Sequence, residues 1–166
     1  MDANSWHARF SQQASWTAQL RRYLFERAGV NKGDRILEVG CGTGAILGAL
    51  IQEANPYRLF GLDLNYTYLS LAVRYAPQAQ LIQADAHTLP FPNECFDIVF
   101  CHFLLLWVKD PALTVKEMAR ITRQGGRIMA LAEPDYGGRI DYPEKLAEIG
   151  EMQEMALQQQ GAETRM

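Results

Sequence analysis

The stretch RILEVGCGTGAI, Arg35 to Ile46, limits this chain more than any other. An apolar run rises into Gly40, Gly42 and Gly44, spaced by single residues, and then turns apolar again. Three glycines so close together interrupt any regular element, because each adds backbone freedom that folding must remove. The run before them suits a short buried strand, and AILGALIQEA after them suits a helix. A tight strand-to-helix turn needs one glycine. Three at alternate positions predict a backbone stripped of Cβ atoms so that a ligand can approach it.

The rest of the chain repeats the same alternation. RILEV, YRLFGLD, AQLIQAD, FDIVFCHF and GGRIMALAE predict five strands. Between them AILGALIQEA, NYTYLSLAVRYA and DPALTVKEMARIT predict helices, the last with Pro111 at its first turn, where proline is favoured. Short apolar strands alternating with helices predict an α/β fold: a doubly wound, mostly parallel sheet with right-handed crossovers. One helix is predicted from about Ser5 to Ala28, since Trp6, Phe10, Trp16, Leu20, Tyr23 and Leu24 recur at helical spacing without Pro or Gly. Those aromatics suit core packing, with a helical lid as the alternative. A last helix is predicted over PEKLAEIGEMQEMALQQQ. The expected organisation is a single domain over 1–166: a helical cap over 1–30, a ligand-binding core over 31–134, and a loop with a C-terminal helix over 135–166.

Composition serves mainly to exclude. A formal charge of -3 with no basic patch argues against a nucleic-acid partner. No apolar run is long enough to span a membrane, and the first residues lack a signal-peptide core. The expected location is cytoplasmic. Cys41, Cys95 and Cys101 form no pair or cluster with zinc-ligand spacing, so no metal site is expected and the thiols are read as free.

In a doubly wound sheet, ligands bind outside the carboxyl ends of the strands, where strand order reverses. The glycines, with Ala45, fit G-x-G-x-x-G/A, the dinucleotide fingerprint, and Asp63 ends the second strand where an acid meets ribose hydroxyls. These two features leave a nicotinamide oxidoreductase open. Three more weigh against it. Glu38 extends the motif to E-x-G-x-G-x-G, Asp85 ends the third strand in QADAHTLPFP, and the fourth strand runs directly into FLLLWVKDP.

From Val30 to Pro134 these residues together resemble the class I S-adenosylmethionine-dependent methyltransferases, nearest the ubiquinone/menaquinone-biosynthesis type of small-molecule enzyme. The resemblance implies a Rossmann-like methyltransferase fold and the cofactor S-adenosylmethionine. It implies that Gly40, Cys41, Gly42 and Gly44 let backbone approach the cofactor, and that Glu38 lies near its ammonium. Asp63 would accept from the ribose hydroxyls, Asp85 from the adenine amino group, and the Ala86 amide would serve a ring nitrogen. Leu64 and His87 would flank the adenine, and a carbonyl of Cys101 or His102 would face the ammonium. Asp63→Ala is then expected to weaken cofactor binding while leaving ligand-free stability nearly unchanged.

Methyl transfer to a small-molecule acceptor rests mainly on positioning, and a base is needed only where the acceptor must lose a proton. Candidate catalytic residues are accordingly few. His102, with a suitable ordinary pKa, Asp135 and Tyr136 are named, beside Glu133 as an acceptor-pocket or loop-capping residue. Trp107 is expected to pack under the site. The resemblance also implies strands six and seven, which this sequence does not show after the fifth. A methyltransferase is therefore the first reading and a non-catalytic S-adenosylmethionine-binding module or fragment the second. The fifth strand and last helix are expected to mediate self-association.

Overall fold

The computed structural model describes residues 3–53, 57–136 and 138–164. Five strands form one sheet: β1 (Arg35–Val39), β2 (Arg58–Asp63), β3 (Gln80–Gln83), β4 (Phe96–His102) and β5 (Thr122–Leu131). Their order is β3-β2-β1-β4-β5, and every neighbouring pair is parallel. The chain moves outward from β1 to β3 and then crosses back to lay β4 on the other flank of β1. The reversal of strand order therefore falls between β1 and β4, and the glycines follow β1 directly.

Helices α3 (Ala45–Gln52), α4 (Tyr66–Tyr75) and α5 (Pro111–Ile121) are the crossovers. Each starts where local chemistry permits. Gly44 opens α3 at φ 75°. The Asn65 side chain accepts from the amides of Thr67 and Tyr68, and Asp110 accepts from that of Leu113 ahead of Pro111. Alternation along the strands sorts side chains to two faces. Ile36, Leu59, Ile98 and Phe100 pack with Leu47, Leu50 and Leu69 of α3 and α4. Leu37, Val39, Phe60, Phe96 and Val99 pack with Met118 and Ile121 of α5. Edge-on aromatic pairs fill both sides, Phe25 on Phe100 and Phe60 on Phe96.

The expected single N-terminal helix is two: α1 (Ala3–Trp16) and α2 (Ala18–Ala28). Thr17 breaks it at φ -101°, ψ 4°. Its hydroxyl lies 2.9 Å from Nε2 of His102 and 3.3 Å from the Ala14 carbonyl oxygen, to which the Arg21 guanidinium also donates. The turn is thus made by partners as far as 85 positions along the chain. The break divides the aromatic stripe. Phe10 packs against Tyr68 and Trp6, whereas Trp16 is exposed and belongs to neither core nor lid. Trp107 is also exposed, not packed beneath the site. β5 starts at Thr122, ahead of the expected glycines, because Phe96 pairs with Thr122 before a register shift.

β5 forms one edge of the sheet, with Ile128 and Ala130 exposed. After it a loop leads to α6 (Glu144–Gln159), whose Leu146, Ile149, Met152 and Met155 are all exposed. The final described residues turn back: the Glu163 amide donates to the Leu106 carbonyl and the Tyr136 amide to that of Thr164. Among the described residues there is no sixth or seventh strand, and no helix is long and apolar enough to cross a membrane.

Candidate functional site

The carboxyl ends of β1 to β4 bring together the glycine loop, Glu38, Asp63, Asp85 and His102. Gly40, Gly42 and Gly44 all have positive φ, at 75°, 52° and 75°. The amides of Gly40 and Cys41 both donate to the Leu62 carbonyl, at 2.7 and 2.9 Å, and the Gly42 amide donates to Oδ2 of Asp63 at 2.7 Å. The loop is thereby stitched to the end of β2. The space freed by the missing Cβ atoms is shared. A Cβ at Gly44 would press on Ala72 of α4 and on Ala76, which caps its end, so that glycine serves helix packing. At Gly40 and Gly42 it would meet the side-chain ends of Leu104 and Phe10.

Glu38 is 3% exposed, and its Oε2 has no hydrogen-bond partner. Burial pushes its carboxyl well above the usual range; Arg21 opposes this, while the nearby Asp63 adds to it. Arg21 is itself buried, its guanidinium donating to the Ala14 carbonyl. Asp63 carries two amides, from Gly42 on Oδ2 and Asn65 on Oδ1. Burial raises its pKa against those two bonds. This overturns the expectation that Asp63 is spare in the ligand-free protein, since it already holds the loop that would hold a ligand.

Asp85 lies on the surface side of the same crevice with its side chain 53% exposed. Its Oδ1 accepts from both the amide and Nδ1 of His87, at 2.9 and 2.7 Å. The bond from that amide is the main reason its pKa is lowered. His87 ties Asp85 to the start of α5, because its Nε2 accepts from the Asp110 amide. Ala86 is buried and Leu64 is exposed beside Asp63.

The thiols of Cys41 and Cys101 are buried, and burial pushes both pKa values up. His102 suits a structural histidine and not the base for which it is a candidate. Burial, helped by Arg21, lowers its pKa to about 4, so it is neutral at pH 7 and a weak base. Glu133 accepts from the amides of Leu104 and Leu105 at 2.9 and 2.8 Å, which makes it the cap of the short 3-10 turn Leu105–Trp107. Asp135 and Tyr136 belong to the loop after β5, where the Tyr136 ring lies under the Arg139 guanidinium. Among the described residues no group of three or more His, Cys, Asp or Glu could hold a metal.

The sequence reading missed the groups that close the crevice. Nδ1 of His7 lies 2.8 Å from the Thr43 hydroxyl, and its ring stacks on Tyr75 at 3.4 Å between centroids. Thr43 is fully buried as a result. Arg21 was missed as well. Both lie on amphipathic helices where a polar residue is ordinary, so only their burial marks them.

A parallel sheet with a glycine loop at its switch point and acids at or just past the carboxyl ends of three successive strands defines a nucleoside-cofactor protein of the Rossmann-like class. The methyltransferase-domain family matches residues 37–130. Demethylmenaquinone methyltransferase of Bacillus licheniformis is 35% identical over 135 residues, covering 78% of this chain and 56% of that protein. Phosphatidylethanolamine N-methyltransferase of Cereibacter sphaeroides is 36% identical over 104 residues, 59% of this chain and 50% of that protein. Among solved structures, a chain from a complex of the Haloferax volcanii Trm112 methyltransferase activator aligns with a TM-score of 0.65 at 26% identity, covering 76% of this chain and 58% of that one. The chain belongs to the methyltransferase-domain family, whose members of this kind use S-adenosylmethionine. It spans about half the length of the relatives it matches.

Two outcomes follow from the site as built. Asp63→Ala strands two backbone amides and should lower ligand-free stability by roughly 2–4 kcal/mol, several degrees of melting temperature. Urea unfolding of the variant without ligand measures this, and unchanged stability refutes it. For His102, the folded pKa lies below the unfolded value, so between about pH 6.5 and 4 the unfolded chain binds the extra proton. His102 should therefore cost stability as pH falls through that window, on the order of 3 kcal/mol in total. The melting temperature of His102→Gln should fall less steeply than the parent's between those pH values.

Proposed function

We propose that this chain binds S-adenosylmethionine across the carboxyl ends of β1 to β4 and transfers its methyl group to a small-molecule acceptor. The observation that carries the reading is Glu38: a buried acid with an unpartnered oxygen, adjoining a positive-φ glycine loop. An unpaired buried acceptor is costly, and a cationic group brought beside it relieves that cost. The ammonium of the cofactor's amino-acid tail is such a group, and the carbonyls of Cys101 and His102 end the neighbouring strand.

In this reading Gly40, Cys41, Gly42 and Gly44 cradle the tail and ribose. Asp63 receives the ribose hydroxyls on the lone pairs its two amides leave over, since an ionised carboxylate offers about four acceptor positions. Asp85 and the Ala86 amide meet the adenine edge, with Leu64 against its face. Bound, the cofactor supplies an electrophilic methyl on a sulfonium. The chain's task is to hold an acceptor in line with it and keep water out. His102, neutral at pH 7, contributes shape and a hydrogen bond to Thr17 and does not serve as the base. Asp135 and Tyr136 remain the candidates for contact with the acceptor. The two relatives are named for a quinone precursor and a phospholipid amine, which supports an acceptor with an apolar body and leaves the accepting atom, carbon or nitrogen, to experiment.

Isothermal titration with S-adenosylmethionine and, separately, with NADH tests the cofactor. Binding of the first and not the second is expected; the reverse overturns the reading. Release of S-adenosylhomocysteine is then measured with quinone and amine acceptors. Binding without turnover on any of them supports the second reading, a cofactor-binding module without catalysis.

The exposed edge of β5 and the apolar stripe of α6 support one further part of the proposal, that the chain associates with a second copy of itself. Sedimentation across a concentration series should show mass rising with concentration, and a monomer throughout overturns it.

A further inference from the structure

The loop between β3 and β4 contains more hydrogen bonding than its turn needs. The His87 amide alone, donating to Asp85, closes an ordinary Asx turn, and the Thr88 amide completes it on the Asp85 carbonyl. The imidazole adds a second bond, from Nδ1 to the same Oδ1 at 2.7 Å. Its other nitrogen is held from the far side by the amide of Asp110 at 3.1 Å. A backbone amide can only donate, so Nε2 accepts and the proton sits on Nδ1. Asp110 itself caps α5 through Leu113, which makes this anchor part of a regular element.

The effect on Asp85 is directional. Its side chain is half exposed, and a free carboxylate there would sample several orientations. With both bonds on Oδ1, that oxygen's lone pairs are used. Among the described residues Oδ2 accepts no hydrogen bond, which leaves it as the spare acceptor of a half-exposed side chain. An ionised carboxylate oxygen accepts from an amino group and repels a carbonyl oxygen in the same place.

We propose that His87 is a positioning residue: clamped between Asp110 and Asp85, it presents Oδ2 of Asp85 alone to the exocyclic amino group of a purine and so makes the site discriminate adenine from hypoxanthine. This rests on the reading that Asp85 meets the adenine of the cofactor. His87 touches no reacting atom and acts only through Asp85.

The test is the ratio of affinities for S-adenosylhomocysteine and S-inosylhomocysteine, in which a carbonyl oxygen replaces the amino group. It is measured by titration on the parent, H87A and H87N, with melting temperatures recorded in parallel. The parent should prefer the adenosyl ligand by about tenfold or more, on the scale of one charge-assisted hydrogen bond. H87A should lose most of that preference, by at least about fivefold. H87N, whose amide can donate to Asp85 from the position of Nδ1, should recover at least half of it. A purely structural role would shift both affinities together and leave the ratio alone. If H87A is too unstable to titrate, H87L, which fills the same space without a donor, carries the same expectation. A parent with no preference overturns the assignment of Asp85 to the amino group. A preference that survives unchanged in H87A or H87L overturns the role of His87 while leaving that assignment standing.

Discussion

Three backbone amides in succession, those of Gly40, Cys41 and Gly42, end on two neighbouring acceptors of β2, the Leu62 carbonyl and the Asp63 carboxylate. Everything at the carboxyl end of the sheet depends on that seam. It bends the chain out of β1 with positive φ at all three glycines and sets the start of α3 at Gly44. It also commits Asp63 to a structural task before any ligand is considered. Glycine makes the bend possible, and the carboxylate makes it stable, because buried amides without partners are expensive.

Around the seam the protein holds charges that burial disfavours. Glu38 and Asp63 are pushed toward their neutral forms, and Arg21 and His102 toward theirs. Arg21 acts in opposite senses on its two neighbours: it opposes the neutralisation of Glu38 and adds to that of His102. Such a cluster contributes little to stability by itself, since desolvating charges offsets much of their attraction. In the proposed function its value lies in being preorganised for a ligand of mixed charge. The thiols nearby take no part, being buried and held protonated.

The periphery is built to a different standard. α1 closes over the glycine loop with His7 on Thr43 and Tyr75 and with Phe10 beside Gly42 and Tyr68. At the other end, β5 offers an unpaired edge and α6 an exposed apolar stripe. A fold of this kind serves many functions, and what a given chain acts on is decided by the site grafted onto it.

By itself the sequence determined the alternation of elements, because apolar periodicity, Pro111, Asn65 and the glycines act over a few residues. The start of α3 and the ends of β1, β2 and β4 follow from those local signals, and so does the place of the glycine loop and of the acids beside it. What it left undecided depends on partners distant in the chain. The break at Thr17 needs His102, the capping role of Glu133 needs Leu104 and Leu105, and the anchoring of the His87 ring needs Asp110. The weak basicity of His102 was hidden for the same reason: a pKa is set by burial and by neighbouring charge, here Arg21, and neither is local. Tertiary structure also decided that Asp63 is occupied, since only the folded loop brings the Gly42 amide to it. A hydrogen bond joins whatever the fold brings within 3 Å, and sequence separation says nothing about that distance.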